Sequence, residues 1–434
     1  MIMALLTSSS LPRGLKVLAA FAGALGKFLT LFNIQLCIGY LSIFFPNRFE
    51  REWKIVHTPQ AAAESQGFTP YLQLPNYGLA PGRRANATFV ILARNSDLAG
   101  TVQSIRDMED RFNRHYQYPY VFLNDEPFDD KFKEHISMLT DAKVEFGVIP
   151  KEHWQQPDWV DEPTAEAWRD WLVGEGIIYG ESVAYRNMCR FNSGFFFHHP
   201  LLQKYRWYWR IEPDVRFHCD LHEDPFVFME DNNKTYGFTI SLIEFPETIR
   251  TLWDTVREFT ALYPEYVPYD NSLDFVSDDG GETFNMCHFW SNFEIADMDF
   301  WRGPAYTAFF QYLEVKGGFY YERWGDAPVH SIAAALFLPK DQIHFFDEIG
   351  YEHPPFTHCP KSGNNWKKGR CTCDPENNFD FNEGSCLDRW SMFMNGSIYA
   401  PPTLEPAPDA EAEAAAGVEV KEKAKENPVP VPLD

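Results

Sequence analysis

Ala87-Thr88-Phe89-Val90-Ile91-Leu92-Ala93, followed directly by Arg94-Asn95-Ser96-Asp97, is the stretch of this sequence that decides the fold. The first seven residues form a short, continuous apolar run that includes β-branched side chains. A run of this length and composition is typical of a strand that is buried on both faces of a sheet. The polar residues after it indicate the loop at which that strand ends.

The residues that follow predict a helix and then two more strands. Leu98 to Asn113 carries apolar residues at helical spacing, and Ser96 or Asp97 is a suitable N-cap. Tyr118 to Leu123 and Val144 to Ile149 are the next β-prone runs. Because strand, helix, strand is the repeating unit of a parallel sheet, we predict an α/β domain that opens at residue 86. Two further strands and one helix are expected at Trp207–Ile211, Tyr236–Ile240 and Thr248–Tyr263.

The apolar pattern divides the 434-residue chain into five parts. Residues 28–45 carry no charge, and eighteen helical residues span about 27 Å, just enough for the hydrocarbon core of a bilayer. A cleaved signal peptide and a buried core helix are the alternatives for this run. We therefore expect a cytoplasmic tail at 1–27, a transmembrane signal anchor at 28–45, a stem at 46–85, a lumenal domain at 86–400 and a disordered acidic tail at 401–434.

The charge balance limits the partners that the protein can have. The formal net charge is −24, and the terminal segment 401–434 supplies only a small part of it. Nucleic acid is therefore not an expected partner, because affinity for it comes mainly from cationic neutralisation of phosphates. An acidic protein that binds a diphosphate needs a metal ion or a local arginine to offset the repulsion. Aromatic residues make up 16% of the chain, and such residues serve either as core or as surfaces on which sugar rings stack.

The cysteines indicate disulfides in an oxidising compartment. Of the eight cysteines, four are clustered near the end of the folded region, at Cys359, Cys371, Cys373 and Cys386. A zinc site is the alternative, although the Cys371-x-Cys373 pair is tighter than the usual zinc spacing. Seven cysteines lie downstream of the apolar run, so at least one thiol is expected to be free or buried.

Trp209-Arg210-Ile211-Glu212-Pro213-Asp214 is the sharpest candidate for chemistry. Proline cannot continue a central strand, so this strand should stop and leave two carboxylates at its end. Ligands of α/β folds bind at the carboxyl ends of the strands, and carboxylate oxygens are suitable ligands for Mn²⁺ or Mg²⁺. A plain turn with a solvated carboxylate explains Glu-Pro-Asp equally well.

Three other stretches carry candidate site residues, each with a structural alternative. Glu294 ends the aromatic, amide-rich run from Cys287, where a partly desolvated carboxylate could act as nucleophile or stabilise an oxocarbenium-like transition state. Arginine and aspartate around the Trp324-Gly325 turn could bind sugar hydroxyls. His353 precedes two prolines, which suits a metal ligand. The structural alternative for Glu294 is a buried glutamate that is hydrogen-bonded by neighbouring amides. For the Trp324-Gly325 turn it is a turn in the core, and for His353 an ordinary structural histidine.

Six blocks in order resemble one family over nearly the whole region from about Asn86 to about Cys359. The sequence is similar to the fungal α-1,2-mannosyltransferases of the Kre2p/Mnt1p type, glycosyltransferase family 15. The blocks are Arg94 to Leu98, Tyr185 to Phe191 with Ser193 to Phe196, Glu212-Pro213, Cys287 to Ile295, Arg323 to Pro328, and Gly350 to Pro355.

The resemblance implies a type II Golgi membrane protein with a lumenal catalytic domain of the GT-A-like α/β class, a mixed sheet flanked by helices. It implies GDP-mannose as donor, a mannose-terminated glycan as acceptor, Mn²⁺ as cofactor and retention of the α configuration. By position in the motifs, Glu212 and His353 would be the Mn²⁺ ligands and Glu294 the proposed nucleophile. Tyr185 and Asp326 match residues near the reacting sugars.

Two details lie outside the resemblance or depart from it. Fold logic places Arg94 and Asp97 near the nucleotide, because they follow the first strand at the carboxyl edge. The family often has another residue where this chain has Asp214, so a metal role for Asp214 does not follow. The alternatives for the whole protein are a catalytically inactive lumenal glycan-binding protein of the same fold, and a glycoside hydrolase that uses Glu294.

Overall fold

The computed structural model describes residues 82–394, which form a layered α/β domain. The strands are β1 Ala87–Leu92, β2 Tyr120–Asn124, β3 Val144–Val148, β4 Trp207–Ile211, β5 Arg216–Phe217, β6 Tyr236–Phe238, β7 Ser241–Ile243, β8 Cys287–Phe289, β9 Ile295–Asp297, β10 Ile343–Phe345, β11 Tyr351–His353 and β12 Phe356–His358. The longer helices are α1 Leu98–Met108, α2 Asp130–Ser137, α3 Glu162–Gly174, α4 Val183–Gly194, α5 Leu252–Leu262, α6 Pro304–Lys316 and α7 Asp326–Phe337. Shorter helical segments lie at Arg114–Tyr116, Lys151–Trp154, Pro225–Asp231, Leu273–Val276, Met298–Arg302, Gly318–Tyr321, Asn365–Lys368 and Leu387–Phe393.

The central sheet is mixed and has seven strands in the order β10-β6-β9-β4-β1-β2-β3. Strand β1 pairs in parallel with β2 and β4, and β2 pairs in parallel with β3. Strand β9 is antiparallel to both of its neighbours, β4 and β6. The mixed α/β class predicted from the sequence is therefore confirmed within residues 82–394.

Strand β1 is buried on both faces, as its composition predicted. Val90 belongs to the apolar cluster on one face of the sheet, and Phe89 and Ile91 belong to the cluster on the other. All three are at most 6% exposed. Alternating side chains of one strand therefore enter two cores, which explains why the run is apolar throughout instead of alternating with polar residues.

A second, three-stranded sheet of order β12-β11-β5 covers the carboxyl end of β4. Strand β5 follows the end of β4 almost at once, and it pairs antiparallel with β11, so that Phe217 lies opposite Tyr351 and Arg216 opposite Glu352. This pairing carries the residue after Glu352 back toward the end of β4. The small sheet therefore determines which distant residues reach the edge of the large one.

Most predicted elements appear with shifted ends. The helix predicted from Leu98 to Asn113 is α-helical to Met108 and continues as a π-helical turn over Glu109–Asn113. The predicted helix at Thr248–Tyr263 is observed at Leu252–Leu262, after a 3₁₀ turn at Pro246–Thr248. Strand β4 has the predicted bounds.

Three disulfides confirm the prediction from the cysteines, and they join Cys219 to Cys371, Cys287 to Cys386 and Cys359 to Cys373. All four clustered cysteines are therefore bonded, which rules out the zinc alternative for them. Cys189 is a free, buried thiol, as the odd count required. The predicted tail, anchor, stem and acidic terminus lie outside residues 82–394, except for the last residues of the stem. Within those residues no helix is both long enough and apolar enough to span a bilayer.

Candidate active site

The carboxyl ends of β1 and β4 meet at one edge of the central sheet. Because Ile91 pairs in parallel with Ile211, the residues that follow each strand lie side by side. On the β1 side Arg94 donates from its backbone N–H and its Nε to Asp97 Oδ2, at 2.9 and 3.2 Å. On the β4 side the first residue past the strand is Glu212. The sequence prediction that both segments belong to this edge is confirmed.

Glu212 and His353 face each other at this edge, although they are far apart in the chain. Glu212 Oε2 lies 3.5 Å from His353 Nε2. His353 Nδ1 lies 3.2 Å from the backbone oxygen of Pro354, and the ring packs against Trp290 with centroids 4.8 Å apart. Since a carbonyl oxygen only accepts, Nδ1 carries the proton in neutral His353 and Nε2 presents its lone pair to the site.

This pair fits a hard divalent cation. A carboxylate oxygen and an imidazole nitrogen are both ligands that Mn²⁺ accepts, and cis ligands at about 2.1 Å from an octahedral ion lie about 3 Å apart. The side chains of His353 and Glu212 are 30% and 24% exposed, so an ion could enter from solvent. Within residues 82–394 no group of three or more His, Cys, Asp and Glu is arranged to hold a metal. With Glu212 and His353 as its protein ligands, an ion at this pair would have other positions for non-protein oxygens, as ions bound to nucleotide phosphates commonly do.

A buried arginine links Glu212 to Asp326. Arg210 Nη2 lies 2.5 Å from Glu212 Oε1, and Arg210 Nη1 lies 2.6 Å from Asp326 Oδ2. Ser291 Oγ donates to the same Asp326 oxygen at 2.8 Å. Burial opposes ionisation of Glu212, but the adjacent Arg210 guanidinium lowers the pKa of Glu212 to about 2. The planar guanidinium group of Arg210 therefore binds the carboxylates of Glu212 and Asp326 at the same time.

Arg210 has no role predicted from the sequence, although a usable signal is present there. Residues i and i+2 of a strand point to the same face, so Arg210 and Glu212 had to share one face of β4. The partnership with Asp326 had no such signal, because Asp326 begins helix α7 more than a hundred residues later.

Glu294 is almost fully enclosed, at 1% exposure, and its carboxylate is saturated with donors. Tyr208 donates its hydroxyl to Oε1 at 2.7 Å, and Tyr236 donates to Oε2 at 3.2 Å. His330 Nδ1 lies 3.0 Å from Oε2. Tyr208 in turn accepts from Trp301 Nε1 at 3.0 Å, so its own proton must point at Glu294.

Glu294 and His330 must share a proton. His330 Nε2 lies 3.1 Å from the backbone oxygen of Asn192, which cannot donate, so Nε2 is protonated. The contact between Nδ1 and Glu294 then needs one more proton, which lies either on the imidazole or on the carboxyl group. The net charge of the pair is zero in both cases: the two groups form a buried ion pair in the first and are both uncharged in the second. Glu294 is therefore a hydrogen-bonded buried carboxyl group, as in the structural alternative, although two tyrosines and a histidine take the place of the expected amides. Its catalytic role stays a prediction.

Arg323 contacts the ring of Tyr185 and precedes Asp326 by three residues in the chain. The Arg323 guanidinium lies 5.1 Å from the centroid of the Tyr185 ring, and its Nη2 lies 3.9 Å from Glu244 Oε1. Asp326 is 5% exposed and is held by Arg210 and Ser291 as described above.

Trp324 and Asp214 do not present their side chains to this site. Trp324 is fully buried, donates from Nε1 to Glu322 at 2.7 Å and packs so closely on Gly318 that a Cβ there would lie 2.0 Å from its ring. Trp324 therefore lies in the core, and the substrate-binding role predicted for the turn at Trp324-Gly325 stays a prediction for this residue. The Asp214 carboxylate packs against Gly100 of α1, where a Cβ would lie 2.3 Å from its Oδ1.

Comparison with known proteins shows which class of protein carries this mixed α/β sheet and this carboxylate–imidazole pair. The family model described as "Glycolipid 2-alpha-mannosyltransferase" matches residues 43–395. Glycolipid 2-alpha-mannosyltransferase 2 of Candida albicans is 56% identical over 303 residues, which are 70% of this chain and 66% of the relative. Alpha-1,2 mannosyltransferase KTR1 of Saccharomyces cerevisiae is 52% identical over 319 residues, which are 74% of this chain and 80% of the relative.

Solved structures give the same assignment. The structure of the S. cerevisiae mannosyltransferase Ktr4p in complex with GDP matches with a TM-score of 0.68 at 42% identity, over 71% of this chain and 81% of that chain. Core-mannan synthase A of Aspergillus fumigatus, in its Mn/GDP form, matches with a TM-score of 0.69 at 38% identity, over 74% and 89%. The chain belongs to the glycolipid 2-alpha-mannosyltransferase family, glycosyltransferase family 15, and is a mannosyltransferase.

Proposed function

We propose that this chain is a retaining α-1,2-mannosyltransferase that moves mannose from GDP-mannose to a mannose-terminated glycan and depends on Mn²⁺. The observation that carries the proposal is the convergence of Glu212 and His353, 3.5 Å apart at the carboxyl edge of the sheet. The GDP and Mn/GDP forms of the two structural relatives support the choice of donor and metal.

Glu212 and His353 would hold the ion, and a bound divalent ion supplies charge neutralisation for a departing diphosphate. Arg210 keeps Glu212 ionised and in place, which matters because a protonated carboxyl group is a poor ligand. Arg94 and Asp97, at the end of β1, are the proposed contacts for the nucleotide. Their position beside the end of β4 supports this role, since nucleotides bind across such an edge in α/β folds.

Glu294 is the proposed catalytic carboxyl group. Retention requires either two inversions through a covalent intermediate on Glu294 or attack of the acceptor hydroxyl on the same face as the leaving group. In the first route the carboxylate must be unprotonated, and the proton that it shares with His330 would then reside on the imidazole. Tyr208 and Tyr236 fix the orientation of the carboxylate for either role.

Tyr185 and Asp326 are the proposed contacts for the reacting sugars. A buried carboxylate such as that of Asp326 accepts sugar hydroxyl hydrogen bonds strongly, since hydrogen bonds to ionised groups exceed those between neutral ones. Arg323 beside the Tyr185 ring fixes the position of that ring.

We also propose that the protein is a single-pass type II membrane protein of the Golgi with its catalytic domain in the lumen. The uncharged run at 28–45 supports an anchor, and three disulfides support an oxidising compartment. Digestion of intact and detergent-opened Golgi vesicles with protease tests this orientation. Protection of the catalytic domain in intact vesicles is the expected result, and digestion there contradicts it.

The function is tested by incubating the purified domain with labelled GDP-mannose, Mn²⁺ and α-mannoside acceptors, followed by linkage analysis of the product. We expect an α-1,2-linked mannose whose formation stops when a chelator removes the metal and resumes when Mn²⁺ is restored. Release of free mannose with no acceptor product would favour a hydrolase. Binding of glycan without any turnover would favour the inactive glycan-binding alternative, which the membership in a mannosyltransferase family does not favour.

A further inference from the structure

Tyr179, in the connection between α3 and α4, presents an aromatic ring to solvent beside the proposed sugar site. Its side chain is 49% exposed. One face of the ring is stacked on Tyr185, with centroids 4.6 Å apart and planes at 14°. The other face is therefore directed away from the protein, next to a residue that we assign to substrate binding.

The backbone that carries this ring is in an unusual conformation. Tyr179 has φ of 58°, in the left-handed region that bulky residues rarely adopt. The buried side chain of Arg186 donates hydrogen bonds to two backbone oxygens of this segment. Its Nη1 lies 3.5 Å from the backbone oxygen of Tyr179 and 3.0 Å from that of Ser182. Backbone bonds from Gly180 to Ile177 and from Ser182 to Tyr179 close the turn. Strained residues persist where the surrounding structure enforces them, and they cluster at ligand sites.

A row of residues leads from this ring toward the reaction centre, joined by side-chain contacts as far as Glu244 and by the backbone from Arg323 to Asp326. Tyr179 stacks on Tyr185, Tyr185 lies under the Arg323 guanidinium, and Arg323 faces Glu244 at 3.9 Å. Two residues after Arg323 the row reaches Gly325, where a Cβ would lie 3.9 Å from Glu244 Oε2, and then Asp326 at the start of α7. The row therefore leads from an apolar exposed surface to ionised groups that suit sugar hydroxyls.

We propose that Tyr179 is the outer wall of the acceptor subsite and that its free face stacks on a mannose ring of the acceptor glycan. The C–H face of a pyranose is apolar, so an aromatic ring can pack against it without forming hydrogen bonds. Arg323, Glu244 and Asp326 then meet the hydroxyls at the other end of the row. The donor nucleotide is placed elsewhere, at Arg94 and Asp97 past the end of β1. This inference rests on the proposed function.

The test is steady-state kinetics of the purified domain with GDP-mannose and methyl α-mannoside or an α-1,2-mannobiose acceptor. Replacing Tyr179 by Gly removes the ring and relieves the left-handed backbone, so loss of folding does not confound the result. We expect the KM for the acceptor to rise about tenfold, the size of a lost stacking contact, while the KM for GDP-mannose stays within twofold. Tyr179→Trp, which keeps an aromatic face, should restore the acceptor KM to near the wild-type value.

Tyr269 provides the matched control, because it is a fully exposed tyrosine that contacts none of these groups. Tyr269→Ala should leave both KM values unchanged. An unchanged acceptor KM in Tyr179→Gly, with wild-type transfer intact, overturns the inference and leaves the proposed function standing. A rise in the KM for GDP-mannose alone also overturns it, because the ring would then contact the nucleotide. Absence of mannose transfer by the wild-type protein would instead refute the proposed function.

Discussion

At the scale of single residues, Arg210 is the side chain on which the geometry of the site depends most. It is 8% exposed and contacts Glu212 at 2.5 Å and Asp326 at 2.6 Å. Removing one partner of a buried ion pair leaves an uncompensated charge and costs roughly 3–5 kcal/mol. A conservative change is therefore the informative one.

Replacing Arg210 by Lys should keep the positive charge but lose the planar fork that holds two carboxylates at once. We expect a fall in transfer activity of roughly tenfold or more and a higher Mn²⁺ concentration at half-maximal rate, with only a modest drop in melting temperature. Circular dichroism melts and Mn²⁺ titrations measure both. Arg216→Lys, at a half-exposed pair with Asp107, is the control and should have no effect on activity. Normal Mn²⁺ dependence in Arg210→Lys would show that Arg210 does not position Glu212.

Replacing Glu294 by Gln distinguishes the two routes to retention. The amide keeps the shape of the side chain and can donate to unprotonated His330 Nδ1, so the fold should be retained. If Glu294 is the nucleophile, transfer should fall at least a hundredfold, because an amide cannot form the glycosyl ester. Near-normal turnover would rule out the covalent route and leave same-face attack. Glu265→Gln, on the exposed surface, serves as the control.

The sequence predicted the site residues unevenly, for reasons that are physical. Glu212 was accessible because Pro213 must end a strand, and that end lies at the ligand edge. The pairing with His353 followed only from the family resemblance, since no local pattern reports a contact between residues so far apart. The surroundings of Trp324 could not be predicted, because a Trp–Gly turn looks the same in a core as at a sugar-binding surface, and only the packing against Gly318 shows that the ring is buried.

At the scale of elements, the pairing of β5 with β11 places His353. Strand β1 could be predicted because its apolar run is continuous. Strands β5 and β11 could not, because two- and three-residue strands carry no period and their partners are distant in sequence. The turn just before β11 contains Gly350, whose absent side chain lets Cys219 approach: a Cβ there would lie 2.5 Å from its Sγ.

Replacing Gly350 by Ala should displace both the Cys219–Cys371 disulfide and strand β11, because the added methyl group overlaps with the Cys219 sulfur. Overpacking of this kind costs roughly 1–3 kcal/mol, and displacement of β11 should also weaken the Mn²⁺ response of transfer. Thermal melts and Mn²⁺ titrations check the two effects. Gly174→Ala is the matched control, since nothing lies within 4 Å of a Cβ there. Equal melting temperatures for the two variants would contradict this account of the turn.

A buried ion pair attaches the segment after β12 to the domain and should make stability depend on pH. Burial alone would lower the pKa of His358, but the Asp380 carboxylate, 2.7 Å away, raises it to about 8. Because the folded pKa exceeds the unfolded value of about 6.5, this stabilisation is complete below about pH 6.5. It is lost as pH rises through about 8 and amounts to at most ~2 kcal/mol.

Urea unfolding of wild type and His358→Gln between pH 6 and pH 9 measures this contribution. The difference in unfolding free energy between the two proteins should shrink across that window, because only wild type loses the charged pair. Subtracting the variant removes the contribution of the other titrating groups, which both proteins share. A difference that stays constant with pH would show that His358 is not charged in the folded protein.

At the scale of the whole molecule, the α/β class and the family followed from the sequence because each rests on many residues at once. The buried strand and the helical period both indicate an α/β domain, and six blocks in order indicate the family. An error of a few residues in one helix or strand boundary therefore changes neither assignment. The disulfides illustrate the limit. Their presence could be predicted from clustering, but the bonds from Cys219 and Cys287 to distant partners required the fold.

The most direct test of the account is Mn²⁺ binding to the purified domain in the presence of GDP, measured by calorimetry or by the electron paramagnetic resonance signal of free Mn²⁺. We expect one ion per chain, with affinity at least tenfold weaker in Glu212→Gln and in His353→Gln and unchanged in the surface variant Glu265→Gln. If both site variants fold and bind Mn²⁺ as tightly as the wild-type protein, the ion is held elsewhere and the Glu212–His353 pair is not the metal site.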